Sequence, residues 1–178
     1  MREPVEWPTR DPLSHRVAAT PDRTALIDTD DNREWTYRAL DTIVDGVTAR
    51  LDGLLSQTDH PDGDSEPSPV GLVASTRVGF VAAFYASLRS GRPVVPLDTR
   101  LPTADLAARL DRVDPALVVC ERGTEEAVVA AADAPVASLD GTETEAVQPL
   151  MPAGENASDA VSPARWDRDD TAVVMFTS

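Results

Sequence analysis

The sequence predicts an α/β fold, in which a doubly wound, mostly parallel sheet is flanked by helices and preceded by an N-terminal β-hairpin. Two observations lead to this prediction. Short runs that are apolar throughout, such as Val70–Ala74 and Ala116–Cys120, alternate with segments whose apolar residues recur at helical spacing. Because a strand that is covered on both faces needs apolar residues at every position, such runs are typical of a parallel sheet between two layers of helices.

The N-terminal segment predicts a short helix followed by a hairpin. Asp11 is suited to cap a helix that has Pro12 at its first position, where the missing N–H costs nothing, and Pro21 ends that helix. Thr24–Asp28 and Arg33–Trp35 then predict two strands, because the Asp-Asp-Asn sequence between them favours a turn.

The clearest helix of the sequence begins after Thr36, a suitable N-cap residue. Its apolar residues lie three and four positions apart and form one stripe: Leu40, Ile43, Val44, Val47, Leu51, Leu54 and Leu55. Residues 57–69, which follow, are rich in Asp, Pro, Ser and Gly and predict an exposed surface loop.

From residue 70 onward, predicted strands and helices alternate. The predicted strands are Val70–Ala74, Pro93–Leu97, Ala116–Cys120, Pro135–Ser138 and Thr171–Phe176. Helices are expected over 78–88, where Gly91 ends the helix, from a cap at Thr103 to 113, and over 125–132. Residues 140–168 are polar and predict a second surface loop. The chain then stops at the end of a core strand, where ligands of open α/β sheets bind.

The composition is strongly acidic and contains no Lys. The 31 acidic residues outnumber 16 Arg, so the net charge is −15. This negative charge repels phosphate backbones and anionic lipids, and therefore disfavours nucleic acids and membranes as partners. The excess of Asp, the missing Lys and the 4% aromatic content indicate an extreme halophile, in which concentrated salt screens self-repulsion. An acidic protein from an ordinary GC-rich bacterium is the alternative.

Signals for export or membrane insertion are missing from the sequence. The N terminus has no apolar signal region, and the longest uncharged stretch, residues 78–88, is shorter than the roughly 18 residues of a membrane helix. We therefore expect a cytoplasmic protein. The single Cys120 cannot form an internal disulfide and is expected to be a small core residue.

Other residues that could carry chemistry have simpler explanations. His15 is expected to be solvated or half-buried rather than catalytic, and His60 is expected at the surface. Arg100 is expected to pair with a nearby Asp rather than to steer an anion. Two aspartate runs have the alternating spacing of calcium loops but lack the glutamate that completes one, so we expect no metal site. The residues concerned are His15, His60, Asp28, Asp30, Asp31, Asp59, Asp62 and Asp64.

Three segments, in this order, resemble motifs of the adenylate-forming enzymes, the superfamily of acyl-CoA synthetases, peptide synthetase adenylation domains and luciferases. Trp35–Leu40 is similar to the early Thr-Tyr motif, and Leu88–Asp98 to the helix-to-strand segment that ends in Pro-Leu-Asp. Thr171–Ser178 is similar to the strand that leads into the phosphate-binding loop. In addition, Pro21–Leu26, which precedes these three segments, is similar to the entry of the first hairpin. Each match is weak alone, so their order and separation carry the resemblance.

The resemblance implies an enzyme that uses ATP and Mg²⁺ to activate a carboxylic acid as an acyl adenylate and passes the acyl group to coenzyme A. Thr177 and Ser178 match the first two residues of the phosphate-binding loop and would bind ATP phosphates through their hydroxyls. Residues 1–178 would be the N-terminal part of the AMP-binding domain, truncated at that loop. The other ATP, Mg²⁺ and catalytic motifs of the family lie beyond Ser178, so no catalytic or metal-binding residue is assigned and the piece is expected to be inactive alone. Almost no positive charge is expected near Thr177.

Within the family, an acid:CoA ligase is expected. The leader Trp7–Asp11 resembles that of 2-succinylbenzoate:CoA ligases of menaquinone synthesis. Two alternatives stay open: an adenylation domain that loads a carrier protein, and a catalytically inactive binding or scaffold domain. The expected partner is a small carboxylic acid, and a homodimer is one open oligomeric state.

Overall fold

The structure is a computed structural model that describes residues 10–57, 67–142, 144–151 and 161–177. One short 3-10 helix, Arg122–Thr124, precedes the last helix. The other elements, in chain order, are α1 (Pro12–Ala19), β1 (Thr24–Asp28), β2 (Arg33–Thr36), α2 (Tyr37–Leu55), β3 (Val70–Val73), α3 (Val78–Arg89), β4 (Val94–Pro96), α4 (Thr103–Val113), β5 (Leu117–Cys120), α5 (Glu125–Ala131), β6 (Val136–Ser138) and β7 (Val147–Pro149).

The predicted fold class is confirmed by the sheet. Strands β4, β3, β5, β6 and β7 lie side by side in this order, and every neighbouring pair is parallel. All residues of the central strands β3 and β5 are buried. The predicted hairpin is also present, since β1 and β2 pair antiparallel around a turn in which Asn32 has a φ of 50°.

Two hydrophobic clusters lie on opposite faces of the sheet. One joins the sheet to α1, α2 and α3, and the other joins it to α4 and α5. Successive strand residues alternate between them, because side chains of a strand point to opposite faces: Leu72 and Val119 belong to the first cluster, and Val73 and Val118 to the second. This alternation is the doubly wound arrangement that the fully apolar strands predict.

The predicted N-caps of α1 and α2 are both present. The Asp11 Oδ1 atom accepts a hydrogen bond of 3.0 Å from the Ser14 backbone N–H, and Thr36 Oγ1 accepts one of 3.2 Å from that of Ala39. Each bond satisfies a backbone donor that has no partner inside its helix. Among the described helices, none is both long and apolar enough to cross a membrane.

Three local predictions were wrong. The predicted loop 140–168 contains β7, whose signal is weak because only Val147 of its three residues is buried. The expected buried strand Thr171–Phe176 is instead a largely exposed segment, joined to β4 by a β-bridge at Val173, in which only Val174 and Phe176 are partly buried. Thr103 does not cap α4, because the helix begins at this residue and Pro102 takes the cap position without a side-chain hydrogen bond.

A buried arginine links the three helices on the first face of the sheet. The Arg89 side chain in the last turn of α3 is only 2% exposed and forms ion pairs with Asp11, Asp41 and Asp45. Asp11 precedes α1 and the other two aspartates belong to α2. Burial raises the pKa of the Asp45 carboxyl, although Arg89 acts in the opposite direction. One guanidinium thus pairs with three carboxylates from two neighbouring elements.

Candidate functional site

The candidate site lies at the carboxyl edge of the sheet, where Thr177 is placed. The backbone N–H of Val94 donates to the carbonyl of Ala172 at 3.0 Å, and the N–H of Val174 donates to the carbonyl of Val94 at 2.9 Å. This pairing is parallel, so the segment 171–177 runs in the same direction as β4 and places exposed Thr177 beyond the end of that strand. Ser178, the second predicted phosphate-binding residue, lies outside the described residues.

Phe176 anchors the chain immediately before Thr177. Its ring packs against the second hydrophobic cluster, and the guanidinium carbon of Arg109 in α4 lies 5.2 Å from the ring centroid. A cation at this distance over an aromatic face is attracted by the ring. Arg109 thus places one positive charge beside the residue that precedes Thr177. Arg109 has no sequence signal of its own, because it lies among polar residues of an amphipathic helix far from Thr177 in sequence.

The loop after β4 presents an exposed ion pair. Arg100 donates through Nε and Nη2 to the Asp98 carboxylate at 3.0 and 2.8 Å, and its backbone N–H donates at 2.9 Å. The side-chain hydrogen bonds, followed by the backbone one, lower the pKa of Asp98 to about 2. The predicted pairing of Arg100 with an aspartate is thus confirmed. The pair carries no net charge, because one guanidinium neutralises one carboxylate.

A second charged group, centred on Arg77, joins the ends of three strands. Arg77 follows β3 and donates to Glu121 after β5 at 3.3 Å and to both carboxylate oxygens of Asp140 after β6 at 3.0 and 2.8 Å. Ser75 Oγ donates to Glu121 at 2.8 Å, and the backbone N–H of Arg122 donates to Asp140 at 2.9 Å. Burial acts to raise the pKa of Asp140, but the bonds from Arg77 and Arg122 outweigh it, and the pKa is lowered.

Replacing Arg77 with methionine should loosen this edge. The side chain is 34% exposed, so we discount its charged hydrogen bonds for solvent screening and expect a loss of about 1 kcal/mol in the free energy of unfolding, measured with urea at neutral pH. Because the folded-state pKa of Asp140 is lowered, this contribution is present above the ordinary aspartate pKa and is lost as the pH falls through the folded-state value.

The matched control for Arg77 is Arg100→Met, which removes the same charge from the same edge. Both members of the Arg100–Asp98 pair are exposed, so its urea midpoint should stay at the wild-type value. Equal midpoints for the Arg77 and Arg100 variants would show that the Arg77 group does not hold the strand ends together.

The remaining candidates behave as structural residues where the structure describes them. His15 is exposed, and Asp28 accepts hydrogen bonds from the backbone N–H groups of Asp30 and Asp31 at 3.0 and 3.4 Å. Within the described residues, no group of three potential ligands could hold a metal ion. Cys120 is fully buried, and burial raises the pKa of its thiol to about 12, so it stays protonated. His60, Asp59, Asp62 and Asp64 lie outside the described residues.

The donors at the carboxyl edge fit the beginning of a phosphate site. Thr177 offers an exposed hydroxyl, and Arg109 brings a permanent positive charge to the residue before it. A nucleotide triphosphate needs many donors in a small space, and among the described residues these two groups supply only part of that number. Thr177 and Arg109 thus lie at one edge of the sheet, together with the Arg100–Asp98 ion pair.

Comparisons with known proteins agree with this geometry. Residues 13–178 match the family of AMP-binding enzymes. The chain is 30% identical over 166 residues to a glycine betaine reductase of Emericella nidulans, a match that covers 93% of this chain and 12% of the reductase. An acyl-CoA synthetase of Brucella canis has a similar structure, with a TM-score of 0.75 and 22% identity over 90% of this chain and 29% of the synthetase.

A second similar structure contains a bound intermediate. The o-succinylbenzoate CoA synthetase of Bacillus subtilis, in complex with the acyl-adenylate intermediate OSB-AMP, matches with a TM-score of 0.71 and 21% identity over 93% of this chain and 30% of the synthetase. The chain thus spans less than a third of the length of each of these three relatives. With a family match over nearly its whole length and the sheet, hairpin and Thr177 segment in place, the chain belongs to the AMP-binding enzyme family.

Proposed function

We propose that this chain is the N-terminal portion of an ATP-dependent acid:CoA ligase, which activates a carboxylic acid as an acyl adenylate and transfers the acyl group to coenzyme A. The observation that carries the proposal is the position of Thr177. It follows a segment that runs parallel to β4 and ends at the carboxyl edge of the sheet, where ligands of open α/β folds bind. The family match over 13–178 includes this residue.

The residues of this chain would contribute binding and positioning rather than bond making. The hydroxyls of Thr177 and Ser178 would donate to phosphate oxygens, and the Arg109 charge beside Phe176 would offset part of the acidic field of the chain. When bound, ATP with Mg²⁺ supplies the adenylyl group and the pyrophosphate leaving group, and coenzyme A supplies the accepting thiol. The stacked Phe176 would hold the start of the phosphate loop at a fixed position.

For the acid, we propose 2-succinylbenzoate, which would place the enzyme in menaquinone synthesis. The leader Trp7–Asp11 supports this choice, and the likeness to the o-succinylbenzoate CoA synthetase is compatible with it. We further propose that the enzyme is cytoplasmic. The net charge of −15 and the missing Lys support an origin in an extreme halophile.

Pyrophosphate release tests the function at two levels. The 178-residue chain with ATP, Mg²⁺ and 2-succinylbenzoate should release no more pyrophosphate than the blank. The full polypeptide encoded by the gene should release it only with a suitable acid, and mass spectrometry should detect the CoA thioester. In that polypeptide, Thr177→Ala should lower kcat/KM by about 10²-fold, the scale of one lost donor to developing charge.

The control for Thr177 is Thr171→Ala, because Thr171 is also exposed and lies in the same segment. This variant should keep wild-type activity. Pyrophosphate release by the 178-residue chain alone would contradict the proposal that this chain contributes binding and positioning only. Acyl transfer to a carrier protein instead of coenzyme A would favour the loading alternative, and complete inactivity of the full polypeptide with every acid tested would favour the scaffold alternative.

A further inference from the structure

Asp98 lies level with Thr177 at the carboxyl edge of the sheet. Val173 forms a parallel bridge with β4, and Thr177 follows it by the same number of residues as Asp98 follows its partner in that bridge. One position earlier, Leu97 and Phe176 both pack against the second hydrophobic cluster, as paired positions on one face should. The register therefore places Asp98 beside the residue that is proposed to bind phosphate.

Two guanidinium groups act on the Asp98 carboxylate. Hydrogen bonds from Arg100 are the main cause of its lowered pKa, and the charge of Arg109 acts in the same direction. Arg109 itself forms no ion pair with any residue that the structure describes, although Asp105 lies one turn before it in α4. Of these groups, Asp98 is thus the carboxylate on which both positive charges act.

The exposure of this group makes its pairing exchangeable. The side chain of Arg100 is 86% exposed and that of Asp98 is 45% exposed, so water screens the pair and its separation costs little. Arginine binds phosphate through two parallel hydrogen bonds, and an anion with several oxygens can accept from two guanidinium groups at once. A pyrophosphate group, which carries several negative charges, is therefore a stronger partner for the two arginines than one carboxylate.

We propose that Arg100 and Arg109 form a binding site for a pyrophosphate group, in which Asp98 is a counter-ion that the phosphate displaces. The identity of the anion rests on the proposed function, because the ligase reaction consumes ATP and releases pyrophosphate. Without phosphate, Asp98 neutralises Arg100. With phosphate, both guanidinium groups donate to phosphate oxygens and Asp98 turns to solvent. The two arginines would thus add positive charge to the hydroxyl donors of Thr177 and Ser178.

The test titrates the 178-residue chain with sodium pyrophosphate, at constant ionic strength and without Mg²⁺, and follows the NMR signals of the arginine Nε–H groups. We expect saturable shifts of the Arg100 and Arg109 signals. Arg100→Met and Arg109→Met should each weaken the affinity at least about fivefold. The matched control Arg112→Met removes the same charge from an exposed position in the last turn of α4 and should change the affinity less than about twofold.

Replacing Asp98 should have an effect of the opposite sign. Asp98→Asn removes the competing carboxylate, so it should strengthen pyrophosphate binding at least about fivefold. Asp111→Asn removes the same charge from another exposed position and should strengthen binding less than about twofold. Because Asp98 is exposed, these two variants keep the test decisive if Arg109→Met does not fold.

Shifts that do not saturate would overturn the proposal, as would a loss in the Arg100 or Arg109 variant no larger than that in the Arg112 variant. Unchanged or weaker binding by Asp98→Asn would also overturn it, because the carboxylate would then not compete with phosphate. Binding is measured without turnover, so the outcome is separate from that of the ligase assay. Saturable binding beside an inactive full polypeptide would refute the ligase alone, and an active polypeptide without this binding would refute the site alone.

Discussion

Replacing Arg89 with methionine should lower the free energy of unfolding by about 3–5 kcal/mol at neutral pH, a large share of the 5–15 kcal/mol that is typical of a domain. The guanidinium side chain is 2% exposed and forms ion pairs with Asp11, Asp41 and Asp45. Without the guanidinium, three carboxylates lie close together in a partly buried cluster, because methionine fills the volume of the arginine side chain but carries no charge. Urea unfolding followed by far-UV circular dichroism measures the loss.

The pH dependence separates this electrostatic effect from poor packing. In the wild type, burial already raises the pKa of Asp45 while Arg89 opposes the rise, so the variant loses the group that lowers this pKa. A carboxyl whose folded-state pKa is raised binds protons more readily in the folded state, and its penalty appears as the pH rises through that pKa. The deficit of the variant should therefore be smaller near about pH 4 than near about pH 7.

Arg112→Met is the matched control for Arg89, because it removes the same charge from an exposed position in the last turn of α4. Its unfolding free energy should stay close to that of the wild type. A similar loss in both variants would mean that the overall negative charge, and not the buried pairing, determines the effect.

Salt should have the second large effect. We expect the melting temperature to rise by at least about 10 °C between about 0.1 M and 2 M KCl, which corresponds to about 3 kcal/mol for a chain of this size. The net charge of −15 drives the expectation, since the screening length falls from about 10 Å to less than about 3 Å over this range and mutual repulsion falls with it. Calorimetric scans at each salt concentration measure the shift.

A charge-reduced variant tests whether repulsion causes the salt effect. Asp52, Asp111 and Asp133 are exposed, and their side chains make no hydrogen bond among those that the structure describes. Changing all three to asparagine should raise the melting temperature in low salt and flatten its dependence on KCl. A melting temperature that is indifferent to KCl in the wild type would refute the adaptation to molar salt.

The layered fold was predictable from the sequence because it depends on local patterns. Fully apolar runs gave β3 and β5, and the stripe that includes Val44 and Leu51 gave α2, so the alternation of the two kinds of segment implied helices on both faces. Asp11 and Thr36 were recognisable as caps because capping is decided within three residues. The weak signal of β7 was lost because two of its three residues are exposed.

The missed features all depend on residues that are distant in sequence. Arg89 meets Asp11 across 78 positions, and no pattern within α3 distinguishes an arginine that will be buried from one at the surface. Arg109 meets Phe176 only because α4 packs beside the end of the 171–177 segment. For the candidate site, sequence motifs thus identified Thr177 but not the charge that accompanies it.

The alternation of Leu72 and Val73 between two hydrophobic clusters has a consequence for strand register. In a sheet with one solvent-exposed face, a shift of the strand register by one residue exposes apolar side chains to water and destabilises the fold. Here both faces are apolar, so polarity cannot distinguish the native register from its neighbours. Polar anchors must do so: Arg77 ties the end of β3 to Glu121 and Asp140. The ion pairs of Arg77 therefore set the register of the central strands.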